Sequence, residues 1–157
     1  MQRTISRALL ALAIGTMAAW GADNSLGTWK VNIAKSKYTP APIPLKSYTA
    51  VRAAVPGGVK VSIAGERADG TRIKATYTAK YDGSPSAVTG SGAPYDSIAI
   101  KQVDANTFTY EAKQSNGKYQ ASGRIVVSSD GKTMTTTAKG TNGEGQPSDL
   151  TLVYEKQ

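Results

Sequence analysis

Apolar and polar side chains alternate along most of this chain. Val59, Val61 and Ile63 alternate with Lys60 and Ser62. Ile73, Ala75 and Tyr77 alternate with Arg72, Lys74 and Thr76. Phe108, Tyr110 and Ala112 alternate with Thr109 and Glu111, and Leu150, Leu152 and Tyr154 with Thr151, Val153 and Glu155. A period of two predicts strands that turn one face inward and one outward. Thr133 to Thr137 is rich in β-branched residues and favours strand for that reason.

Turn signals divide these runs. They fall at Pro56-Gly57-Gly58, Asp69-Gly70, Asp82-Gly83, Asp104-Ala105-Asn106, Asn116-Gly117, Asp130-Gly131 and Asn142-Gly143. Asp-Gly and Asn-Gly supply the positive φ angles of tight hairpins. The pattern predicts a meander of about nine or ten strands. Their expected spans are 27–34, 47–55, 59–65, 71–80, 86–89, 96–103, 107–114, 118–128, 132–139 and 148–156. Closing such a meander into an up-and-down antiparallel barrel removes exposed edges and would pair the first strand with the last. An open two-sheet sandwich satisfies the same pattern.

Two segments interrupt the rhythm. Lys35 to Lys46 carries Pro40, Pro42 and Pro44, which exclude a helix and a central strand. It reads as an extended loop across one barrel end. Gly83 to Pro94 is rich in Gly, Ser and Pro and reads as a mobile loop.

The N-terminus changes the picture. Met1 to Arg7 carries Arg3 and Arg7 and no acid, and Ala8 to Trp20 is almost wholly apolar and small. This is the layout of a secretory signal peptide, with cleavage expected after Gly21. The expected domains are therefore a signal peptide at 1–21 and a single β-barrel domain at 22–157. The apolar run is short for a membrane span, which needs about 20 apolar residues, so no stable membrane insertion is expected. The expected location is periplasmic or secreted. Export suits a chain with no cysteine. Beyond residue 21 the chain holds 17 basic and 11 acidic residues, a net charge of +6. Its lysines are scattered singly, so no nucleic-acid patch is expected.

Candidate chemistry is sparse. The absence of histidine and cysteine removes most nucleophile–base pairs, thiol chemistry and most transition-metal sites. Two Ser-x-x-Lys matches, Ser115/Lys118 and Ser129/Lys132, lie in expected hairpin turns and not at a helix start, where acyl-transfer enzymes place them. Asp69, Asp82 and Asp130 each precede glycine and read as turn residues. The expectation is a non-enzyme without catalytic residues, metal or cofactor.

Gly27-Thr28-Trp29-Lys30 opens the first strand, and Thr151-Leu152-Val153-Tyr154-Glu155-Lys156 forms the last. With the strand number, these resemble the lipocalin and fatty-acid-binding-protein superfamily, the calycins. The Gly-Thr-Trp-Lys start and the Asp-Gly-Lys-Thr-Met turn at 130–134 also resemble small exported bacterial proteins. The resemblance implies a lipocalin-like, all-β barrel of about eight to ten strands. It implies structural roles for Gly27 and Trp29, with Trp29 plugging the closed end beneath a basic side chain from a late strand. In fatty-acid-binding proteins a last-strand arginine and tyrosine two residues apart hold a carboxylate. Tyr154 matches that tyrosine, and Leu152 stands where the arginine would be.

The functional expectation is a monomeric barrel that binds a small apolar or amphipathic ligand, with an anionic head group as one option. The candidate ligand residues are Arg124, Tyr154, Leu152, Leu150, Tyr110 and Ile100. In that arrangement Arg124 and Val126 face inward, and Arg124 replaces the arginine missing at Leu152. Outward is the default for arginine, and capping Trp29 is a third place for it. Two other functions compete. One is a protease inhibitor on the same barrel, opposed by the short tail before Gly27. The other is a barrel filled by its own side chains that interacts through its surface.

Overall fold

A computed structural model describes residues 21–157. The expected signal peptide at 1–21 lies almost wholly outside the described residues. Twelve strands form one antiparallel sheet, nearly closed into a barrel, with no α-helix among the described residues. In chain order they are β1 Gly27–Val31, β2 Lys37–Thr39, β3 Leu45–Val55, β4 Gly58–Arg67, β5 Arg72–Lys80, β6 Asp82–Ala87, β7 Thr89–Ser91, β8 Ser97–Gln102, β9 Thr107–Lys113, β10 Gln120–Val127, β11 Thr133–Thr141 and β12 Pro147–Lys156. Hairpins join β3 through β5 and β8 through β12, as the turn signals require.

First and last strands pair, with Trp29 opposite Lys156 and Val31 opposite Tyr154. The first strand is shorter than its sequence pattern. Asn32 caps a 3₁₀ turn at Ile33–Lys35, its side chain accepting from the Lys35 amide. β2 then resumes the pairing with β12 at Asp149–Thr151. The expected loop at 35–46 therefore contains a three-residue strand before its prolines begin.

The Gly83–Pro94 segment is corrected more fundamentally. Most of it is not a loop but β6 and β7, which end the strand path on its two sides and overlap the strand expected at 86–89; Gly92 to Pro94 lies outside any strand. β6 pairs with β8 and β7 with β5. Arg67 fixes the far end of this segment: its Nε and Nη2 donate to the Gly92 carbonyl at 2.8 and 2.6 Å. Ser and Gly content reads as loop, yet the two flanking strands supply ladder partners that a local reading does not see.

Some strand glycines are steric necessities. A Cβ on Gly123 would lie 1.8 Å from the Thr137 carbonyl oxygen. β10 and β11 approach so closely there that only glycine fits.

The core lies inside the sheet. Trp29, Val59, Ile100 and Phe108 are fully buried, with Val61, Ile63, Ile73, Tyr77, Val127, Met134, Leu152 and Tyr154 around them. Directly opposite residues on neighbouring strands share a face. Inward rows therefore run across the barrel, one of them through Tyr154, Met134 and Val127.

Candidate functional site

Trp29 organises the closed end. Its ring is fully buried, and its Nε1 donates to the Ser25 carbonyl at 2.8 Å. The Lys156 ammonium lies 5.2 Å from the ring centroid, within cation–π range. The residues before β1 fold over this end. Ser25 is fully buried, and its amide and hydroxyl both donate to Asp23 at 2.8 and 2.6 Å. Tyr81 donates its hydroxyl to the other Asp23 oxygen. Gln102 Nε2 donates to the Ala22 carbonyl, and the Asn24 amide to that of Ala105. The segment 22–25 is thus a strap across the barrel floor.

Among the described residues one charged side chain lies inside. Arg52 on β3 is only 4% exposed. Its Nε donates to Ser25 Oγ at 3.1 Å, and its guanidinium sits 5.9 Å from the Phe108 ring centroid. Register explains the placement. Trp29 faces inward and stands opposite Ala50, so Ala50 faces inward, and Arg52 two residues on follows it. Val51, between them, is 43% exposed.

The opposite half is lined by tyrosines. Tyr48, Tyr95, Tyr110 and Tyr119 pack against the core yet are only half-buried, as is Leu150. Tyr48 meets Tyr154 edge-on, with centroids 6.1 Å apart and planes at 72°. Tyr95 and Tyr119 lie 6.0 Å apart. Burial raises the pKa of all of them. Neighbouring tyrosines raise Tyr48, Tyr95, Tyr110 and Tyr154 further. Tyr119 is pushed up to about 12. Tyr77 is also raised by burial, an effect that the nearby Arg52 charge opposes. Tyr81 rises to about 12 through burial and its bond to Asp23. All these hydroxyls stay protonated at neutral pH and can donate hydrogen bonds.

The structure brings five of the six candidate ligand residues together. Ile100 and Tyr110 are direct partners across β8 and β9. Leu152 and Tyr154 are buried on β12, with Leu150 half-buried above them. Arg124 is corrected: it is exposed on the outer wall, opposite Thr109 and Thr137. Arg124 and Val126 do share a face, but Val126 is 41% exposed and Ile125 and Val127 fill the interior instead. Nor does Arg124 cap Trp29; Lys156 holds that place. Sequence reasoning missed Arg52, Tyr48, Tyr95 and Tyr119. For Arg52 and Tyr48 a signal existed, because they share strand parity with Ala50, the partner of Trp29.

A concavity of about 770 Å³ opens on the outer wall of β3, β4, β5 and β7. Its outward side chains include Thr49, Ser62, Lys74 and Thr89, and it contains no aromatic ring. No cluster of acidic residues able to hold a metal occurs among the described residues.

The barrel is all-β, antiparallel and nearly closed. A solved structure described as "Structure of EF1p2_mFAP2b bound to DFHBI" has a similar fold, with a TM-score of 0.51 at 13% identity. The match covers 85% of this chain and 94% of that one. No protein-family description and no curated protein matches the chain.

Proposed function

We propose that this protein is a non-enzymatic, exported barrel that binds a small amphipathic ligand in its tyrosine-lined half. The carrying observation is the set of core-packed aromatic side chains that keep solvent exposure: Tyr48, Tyr95, Tyr110 and Tyr119. A filled interior would bury them as completely as Trp29 and Phe108 are buried at the other end. Tyrosine supplies apolar surface and a hydroxyl handle together, which suits an amphipathic guest. The fold shared with a barrel bound to DFHBI supports a ligand of modest size.

The side-chain inventory supports binding over catalysis. The raised tyrosine pKa values leave those groups poor bases at neutral pH. Asp69, Asp82, Asp104 and Asp130 are exposed, and each accepts from backbone amides of its own turn. The basic, then apolar, run at 1–20 supports export.

Native mass spectrometry of the protein purified from its own cell envelope tests the reading. A stoichiometric adduct released by denaturation is expected. Only the bare protein mass, together with no saturable uptake of small aromatic or aliphatic compounds, would sink it.

A further inference from the structure

Arg52 has five N–H donors, and the structure satisfies them only in part, Tyr77 lying within side-chain hydrogen-bond reach of the guanidinium. Nε reaches Ser25 Oγ, but Nη2 is buried with no hydrogen-bond partner among the described residues. Among the described residues no carboxylate lies within ion-pairing distance of it, the three ion pairs there all involving exposed lysines. Asp23 is joined to Arg52 only through Ser25 Oγ, and both its oxygens are engaged by Ser25 and Tyr81. A buried cation that reaches its carboxylate only through a serine hydroxyl is costly, and an orphaned donor on it adds to the cost. Each such group in a native structure calls for an explanation, and a partner from outside the chain is one.

The surroundings define that partner. Arg52 lies close enough to Tyr77, Tyr81 and Tyr154 for its charge to oppose the rise in their pKa values. Tyr154 in turn packs on Tyr48. The guanidinium therefore stands at the floor of the tyrosine-lined half. From Arg52 to Tyr48 is four residues along β3, a span of about 13 Å at the usual strand rise, comparable to a ring system with its head group. Tyrosine faces and edges line it, and these favour an aromatic guest.

We propose that Arg52 is the anion-binding residue of this barrel, and that its ligand class is a small planar aromatic acid. The acid's oxygens accept from Arg52 Nη2 and from the Tyr77 or Tyr154 hydroxyl, while its rings pack among Tyr48, Tyr95 and Tyr110. This inference rests on the lumen-binding reading above and adds the charge and shape of the guest. A guanidinium presents paired donors in a plane, which matches a carboxylate better than an ammonium does.

Calorimetric titration of naphthoate against naphthamide tests it. The two probes share ring and shape and differ in charge. Naphthoate should bind the native protein about tenfold or more tightly than the amide, the lower range for a hydrogen bond to a charged group. Arg52→Met should bring the two affinities together, and Arg52→Lys should keep part of the difference. Equal affinities in the native protein would overturn the anion site while leaving lumen binding intact. A preference for naphthoate that survives Arg52→Met would overturn the role of Arg52. If neither probe binds, lumen binding itself fails and the anion site with it. Should Arg52→Met not fold by circular dichroism, the native comparison and Arg52→Lys still decide.

Discussion

Replacing Trp29 should be the most damaging single truncation in the closed end. The ring is fully buried, donates to a buried carbonyl at 2.8 Å and carries the Lys156 ammonium above it. Trp29→Ala removes the largest of the fully buried side chains. Truncations of this type cost about 3 to 5 kcal/mol. For a domain of this size each kcal/mol is worth about 3 to 4 °C of melting temperature, so a fall of about 12 °C is expected. Trp29→Phe separates packing from the hydrogen bond. It keeps most of the apolar surface and strands the Ser25 carbonyl, a loss of about 1 to 3 kcal/mol. Lys156→Met should cost less than either, since the ammonium is exposed and holds only one face of the ring. Urea unfolding followed by far-ultraviolet circular dichroism gives the three free energies on one slope. A loss below about 1 kcal/mol in Trp29→Ala would show that the strap and the barrel floor do not depend on this ring.

Other consequences are equally accessible. Gly123→Ala should destabilise by about 1 to 3 kcal/mol through overpacking against Thr137, whereas Gly143→Ala meets open space and should be neutral; equal effects in urea unfolding would contradict the close approach of β10 and β11. Raised tyrosine pKa values make the folded state lose stability as pH climbs from about 10, the ordinary tyrosine value, through the folded values, about 12 for Tyr81 and Tyr119. Below pH 10 that contribution is fully present, so phenolate absorbance should rise together with loss of near-ultraviolet dichroism; stepwise ionisation in an intact barrel would refute it. Limited proteolysis should cut the exposed 40–44 segment before any strand, because its prolines supply no ladder donors; first cleavage within β10 would speak against this.

Much of the barrel was legible because two local signals agree. Asp-Gly and Asn-Gly mark where hairpins turn, and period-two alternation marks what lies between them. β4, β5 and β9 follow those signals to within a few residues. β7 was not legible: Thr89-Gly90-Ser91 has no alternation, and it is a strand only because Lys74 to Thr76 offers it partners. Strand parity was legible too, but its direction was not always. In β10 both faces carry apolar residues, Ile125 with Val127 and Arg124 with Val126, so composition does not choose between them. In β3 composition misleads outright, since Val51, Ala53 and Val55 read as the inner face. The tie is broken by pairing with β1, where the bulk of Trp29 fixes which side is inside. The inner charge at Arg52 is thus a long-range consequence of a tryptophan more than twenty residues earlier.

The strand path ends at β6 and β7, which are consecutive in the chain. Both raw edges of the sheet therefore sit on one ten-residue stretch, Asp82–Ser91. A neighbouring molecule seeking to extend the sheet would find poor templates there. β6 has a register shift between Asp82 and Pro85, and Pro85 has no amide to offer. β7 presents three residues, all exposed and small or polar. Short, interrupted edges of this kind discourage cross-molecule ladder growth and fibril formation. The Gly, Ser and Pro content that disguised this segment as a loop is also what makes both edges poor templates for a further strand.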